Sequence, residues 1–142
     1  MSEPSGMVQV DVVYEGDLHC RLTHVPSGGV IGTDAPVDNE GKGEAFAPTD
    51  LLAASLGSCI ITIMGIYARR KGIDIKGSTV RVRKWMIADP LRRVARMEVV
   101  VDLPARIEEK ERGPLEKAGH ACPVEKSLHP DTRVDLIFNY SL

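Results

Sequence analysis

Between Asp50 and Arg69 the chain carries eighteen residues without a charge, LLAASLGSCIITIMGIYA, and this run limits what the protein can fold into. A bilayer span needs ~20 mostly apolar residues, so length alone comes close to allowing one. The content argues against it, because Ser55, Gly57, Ser58, Thr62 and Gly65 dilute the segment. It is also flanked by amphipathic strand patterns that need one another to form a sheet. The run therefore reads as a central helix over 48–72, buried on nearly every side, with no membrane involved. Thr49 or Asp50 can cap its first N–H groups, and Asp50 suits the positive end of the helix dipole. Arg69, Arg70 and Lys71 suit the negative end, and Gly72 supplies a left-handed stop.

A chain of 142 residues is about one domain and offers little else to wrap around such a helix. A second copy would supply the missing cover. Ser55, Ser58, Thr62 and Gly65 recur at helical spacing, and small residues let two backbones approach closely. The expectation is a homodimer with this stripe at or near the interface; the alternative is that the stripe packs under the chain's own sheet.

The flanks read as strands. Residues 1–34 hold strand patterns, with Val8, Val10, Val12 and Tyr14 on one face, and 35–47 is a polar, Gly-rich loop. Residues 78–103 form a strand pair joined at Asp89–Leu91, the second strand placing Ala95, Met97, Val99, Val101 and Leu103 on one face. Helical pieces follow over 105–129, restarted at Pro114 and again at Pro123 because proline fits a first turn. The last strand, 132–140, aligns Val134, Leu136, Phe138 and Tyr140.

Charged residues are 27% and the formal net charge is −2, which excludes an electrostatic surface for nucleic acid or anionic lipid. The N-terminal residues show no export signal, and three cysteines do not pair evenly, so a reducing, cytoplasmic setting is expected.

Chemistry concentrates on two thiols. Cys59 stands in the middle of the apolar helix, where most cysteines are inert small hydrophobes. Cys122 precedes Pro123, so it occupies a helix cap, where a thiolate is favoured and Glu125 can reach back. Leu115, Ala118 and Cys122 share a helical face, which turns Cys122 inward; the plain alternative is a helix-start residue. A central thiol with a second inward thiol is the pattern of an attacking and a resolving cysteine. His19, Cys20 and His24 cluster in sequence, as do His120, Cys122 and His129, but zinc sites show tighter cysteine pairs, so no metal is expected. Cys20 reads as a core strand residue. Trp85 shares a strand face with Arg81 and Arg83 and suits stacking on a guanidinium or lining an interface. His120, two residues before Cys122, could support its thiolate if charged, and Tyr67 reads as interfacial packing.

The segments APTDLLAASLGSCIITIMGIYARRKGIDI, AGHACPVEKSL and VDLIFNY, in this order around a strand pair, resemble the OsmC/Ohr family of bacterial thiol-dependent peroxide-detoxifying proteins. The resemblance implies an α+β fold, with antiparallel sheets wrapped around two long central helices in an intertwined homodimer. It implies oxidative-stress chemistry without a cofactor. Cys59 would attack an organic hydroperoxide, and its sulfenic acid would condense with Cys122. An external dithiol reductant would reopen the disulfide. The family's peroxidases activate the thiol with an arginine from an N-terminal strand and a glutamate that follows a proline at the helix start. Here Thr49 follows Pro48, so the candidate acids are Glu44 and Asp50, and Arg21 is the candidate arginine. The alternative function is a non-catalytic dimer of the same fold that binds a small apolar ligand. Reactivity of Cys59 at neutral pH separates the two.

Overall fold

The computed structural model describes residues 2–142. Internal contacts divide the chain into two compact units, one running to Leu51 and one over Leu52–Leu142.

The first unit is built on β1 (Val10–Gly16), β2 (His19–His24) and β3 (Val30–Asp34), an antiparallel sheet in the order β1-β2-β3. Val8, expected within the first strand, lies ahead of it. The β1–β2 connection holds Asp17 at φ 53° and Leu18 at φ 60°, the left-handed pair that a tight two-residue hairpin demands. Leu18 is fixed there by an N–H bond to the Tyr14 hydroxyl at 3.3 Å and by its carbonyl, which accepts the Ala35 N–H at 3.1 Å. The register sets Val12 opposite Leu22, Leu22 opposite Ile31, and Tyr14 opposite Cys20. Opposed residues share a face, so one side of this sheet is an apolar surface, and Val12, Tyr14 and Ile31 on it are all more than half exposed.

The central helix, α1 (Pro48–Lys71), begins in the first unit and lies mostly in the second. Pro48 is its first residue, where the missing N–H does no harm. The Asp50 carboxylate reaches back to accept the Ala47 N–H at 2.9 Å, and Gly72 follows the helix at φ 69°. α1 is long and apolar enough to cross a membrane, and a third of its most apolar window is buried.

The second unit packs α1 on a sheet of β4 (Thr79–Ile87), β5 (Arg93–Leu103) and β6 (Arg133–Tyr140). β4 and β5 pair antiparallel, but β6 joins β5 in parallel, so this sheet is mixed. A parallel pair needs a crossover. The crossover here is α2 (Glu109–Gly119) followed by α3 (Pro123–Lys126). Leu56, Ile60 and Met64 of α1 meet Met97, Val99, Val101 and Leu103 of β5 in a core from which all seven are wholly withdrawn from solvent. The helix lies close on the sheet at Gly57, where a methyl group would stand 2.7 Å from Val82 Cγ2 and 3.3 Å from Val80 Cγ1. Val134, Leu136, Phe138 and Tyr140 all pack on this core, as their alternation predicts.

Two expectations are corrected. Ala95 was expected on the inner face of β5, but Val94 is the buried residue and opposes Met86, while Trp85 opposes Arg96. Ala95 is the extra residue of a bulge, and one extra residue flips the parity of everything before it. Pro114 does not restart a helix, because α2 starts at Glu109 and runs through it. The carbonyl freed by Pro114 is that of Lys110. Both residues are exposed, so water can satisfy it. Arg112 ties down the start of α2 by donating to the Ile107 and Ala105 carbonyls at 3.0 and 3.1 Å.

The small-residue stripe on α1 does not pack under the chain's own sheet. Ser58 and Thr62 are exposed, and Ser55 and Gly65 half-buried. The Ser55 and Ser58 hydroxyls donate back to the carbonyls of Leu52 and Ser55 at 2.7 and 3.2 Å, so this face needs no hydrogen-bonding partner.

Candidate thiol site

The site forms where the crossover meets α1. Leu115 is wholly buried, and at Gly119 a methyl group would stand 3.2 Å from Met64 Sδ and 3.5 Å from Ile60 Cγ2. A side chain there would press on Met64, so the end of α2 lies close on α1. Four residues later Pro123 opens α3, so Cys122 takes the cap position with extended backbone (φ −65°, ψ 118°). Its Sγ accepts the Glu125 N–H at 3.4 Å. Cys122 is fully buried, and Cys59 on α1 is half-buried and packs against the core that holds Cys122, near enough for its thiol to bear on the Cys122 pKa.

The electrostatics of Cys122 reverse one expectation. Burial pushes its thiol pKa up, and the nearby Cys59 thiol adds to this, while the N–H groups of Glu125 and Val124 pull the other way. A cap position was expected to favour thiolate. Desolvation outweighs it here, because α3 is one turn long and brings only a few N–H dipoles. Glu125 is expected to reach back to the cap, but its Oε2 is buried and has no hydrogen-bond partner.

The three candidate activators belong to the first unit and have partners there. Arg21 lies on β2 with its Nε 3.8 Å from Glu15. The Glu44 backbone N–H donates to Asp34 Oδ2 at 2.9 Å, and Asp50 holds Ala47. Sequence reading missed the residue that organises this region. Asp34 is buried and accepts from both His19 Nδ1 and Glu44, and its pKa is lowered chiefly by the His19 bond. No periodicity marks such a pair, since it joins strand to loop.

Neither histidine–cysteine cluster closes on a common point. His24 bonds Ser27, His120 sets its ring edge on Phe138, and His129 lies 3.8 Å from Asp131. Among the described residues no three His, Cys, Asp or Glu side chains are grouped to hold a metal ion. Trp85 stacks with the Arg96 guanidinium at 4.5 Å, on the sheet face away from α1.

The OsmC-like protein family model matches residues 41–137, which includes both cysteines. The chain belongs to the OsmC-like family. Among solved structures, a candidate osmotic stress-induced and detoxification response protein from Psychrobacter arcticus 273-4 is 47% identical, with a TM-score of 0.88 over 95% of this chain and 98% of that one. An organic hydroperoxide resistance protein from Elizabethkingia anophelis is 15% identical, with a TM-score of 0.77 over 99% of this chain and 100% of its own. The organic hydroperoxide resistance protein OhrB of Bacillus subtilis is 17% identical, with a TM-score of 0.68 over 94% and 98%. These two share the fold. No curated protein matches the sequence. In this OsmC-like chain the α+β architecture expected from the motifs is present, with the parallel β5–β6 pairing as its added detail.

Proposed function

We propose that this OsmC-like protein is a cytoplasmic, homodimeric thiol peroxidase that reduces organic hydroperoxides. The observation that carries the reading is that a half-buried thiol, Cys59, packs against the same apolar core as a fully buried one, Cys122, and raises its pKa. Exposure supports this division of roles. Cys59 can meet a peroxide, and Cys122 can meet only Cys59. The Cys59 thiolate attacks the peroxide oxygen, the O–O bond breaks, and the alcohol leaves with a proton. Cys122 then displaces the hydroxyl of the Cys59 sulfenic acid, forming a disulfide and water. An external dithiol returns the two electrons by thiol–disulfide exchange.

Two features support a second copy. The Ser58 and Thr62 face of α1 is open, and the apolar face of the β1-β2-β3 sheet is exposed. Arg21, Glu44 and Asp50 are the candidate activators of Cys59. The small apolar side chains around Cys59 suit alkyl substrates.

The test counts free thiols before and after one equivalent of cumene hydroperoxide. Wild type should lose two of three thiols and gain an internal disulfide. Cys122→Ser should stop at a sulfenic acid that dimedone traps, and Cys59→Ser should not react. If wild type, Cys59→Ser and Cys122→Ser all keep their thiols, the peroxidase reading fails, and the chain is better treated as a dimer binding a small apolar ligand.

A further inference from the structure

The turn that caps Cys122 leaves one polar group without a role. Among the described residues, Glu125 Oε2 is the buried side-chain oxygen or nitrogen with no hydrogen-bond partner. Leaving a buried acceptor unpaired is costly, and more so when it is charged. A redox or catalytic role is one of the reasons a protein retains such a group. Glu125 is the third residue of the turn, and its own N–H lies on Cys122 Sγ. In a capped turn this third side chain is the one that reaches back toward the cap residue.

The resolving thiol needs a proton acceptor at this place. Cys122 is fully buried, so bulk water cannot take its proton, and burial keeps it a thiol near neutral pH. A thiol must lose its proton to become a nucleophile. The packed elements offer little else. α1 carries no charge between Asp50 and Arg69, so Cys59 is its titratable group here. On α2, Lys117 is an exposed cation, Glu116 accepts the Tyr140 hydroxyl at 2.8 Å, and His120 is exposed against Phe138. Beyond Glu125, Lys126 is an exposed cation, and exposed His129 faces Asp131. From β6, the residues packed on this core are Val134, Leu136, Phe138 and Tyr140.

We propose that Glu125 is the proton acceptor of the resolving thiol, taking the Cys122 proton as its sulfur attacks Cys59. In the peroxidase cycle the Cys122 electron pair makes the S–S bond, and the S–O bond of the Cys59 sulfenic acid breaks with its pair on oxygen. Glu125 returns the proton to that hydroxide, which leaves as water. This sequence rests on the peroxidase reading, but activation of Cys122 does not, because any good leaving group on Cys59 sulfur calls for the same deprotonation.

The experiment uses that independence. In a Cys20→Ser background, DTNB converts Cys59 to its thionitrobenzoate mixed disulfide, and Cys122 releases a second thionitrobenzoate in a first-order step. The rate is followed from pH 6 to 10 for wild type, Glu125→Gln and Glu125→Asp, with Cys122→Ser as the blank. At pH 7 Glu125→Gln should be about a hundredfold slower, the usual size of a lost proton acceptor. Its rate should rise tenfold per pH unit and approach wild type at high pH, and Glu125→Asp should recover part of the loss. An unchanged rate and pH profile in Glu125→Gln overturns the proposal. A rate lowered equally at every pH also overturns it, since that is the signature of disturbed packing. A chain that passes this test yet keeps its thiols against cumene hydroperoxide loses the peroxidase reading and retains Glu125.

Discussion

The two sheets of this protein follow the same rule and meet different fates. In β4-β5-β6, alternating apolar residues face α1, and Met97, Val99, Val101 and Leu103 are wholly buried. In β1-β2-β3, Val12, Tyr14 and Ile31 form an equally apolar face that stays exposed. Alternation reports that one face avoids water. It does not report what will cover that face. The second sheet has its cover in the same chain, and the first presents a surface suited to another molecule, for which the proposed second copy is the simplest candidate.

The largest expected effect tests the covered sheet. Leu56→Ala removes a fully buried side chain between α1 and β5 and should destabilise by about 2–5 kcal/mol in urea unfolding. A loss under about 1 kcal/mol would mean the two layers are not tightly packed there. Gly57→Ala probes the same contact from the other side, since its methyl group meets Val82 at 2.7 Å. Overpacking of this kind should cost about 1–3 kcal/mol by the same measurement. On the open sheet, Val12→Lys should leave monomer stability within about 0.5 kcal/mol while converting the protein to a monomer in sedimentation equilibrium. An unchanged dimer would show that this face is not the interface.

Acid should separate the regions further. The His19 bond holds the Asp34 pKa below its unfolded value, so the stabilisation is present above that value and is lost as pH falls through the folded pKa. The protection factor of the Glu44 amide, whose N–H Asp34 accepts, should therefore fall at low pH in wild type. In Asp34→Asn the protection should be low at every pH. The smallest stability effect is expected at Arg21. Its 3.8 Å ion pair with Glu15 is exposed, so Arg21→Ala should cost under about 1 kcal/mol. If Arg21 activates Cys59, the same variant slows the peroxide step at least tenfold in stopped flow, an effect out of proportion to that loss.

Much of the thiol site was legible because its signals are local. Pro123 announces a helix start, so Cys122 reads as a cap, and an uncharged run reads as a helix with Cys59 at its middle. The misreadings share a cause. Ala95 looked inward because alternation assumes an unbroken register, and the bulge opposite Trp85 and Met86 breaks it. Pro114 looked like a helix start because its cost inside a helix is local, whereas Leu115 in the core repays that cost across the fold.

By itself, then, the sequence determined the elements, the apolar faces and the two cysteines worth asking about, since these follow from periodicity, caps and composition. The tertiary structure alone decided that the two thiols pack on one core, that burial outweighs the cap at Cys122, that β6 runs parallel to β5, and that Glu125 keeps an unpaired buried oxygen. Contact, desolvation and hydrogen-bond satisfaction depend on residues far apart in the chain, and no local pattern carries that information.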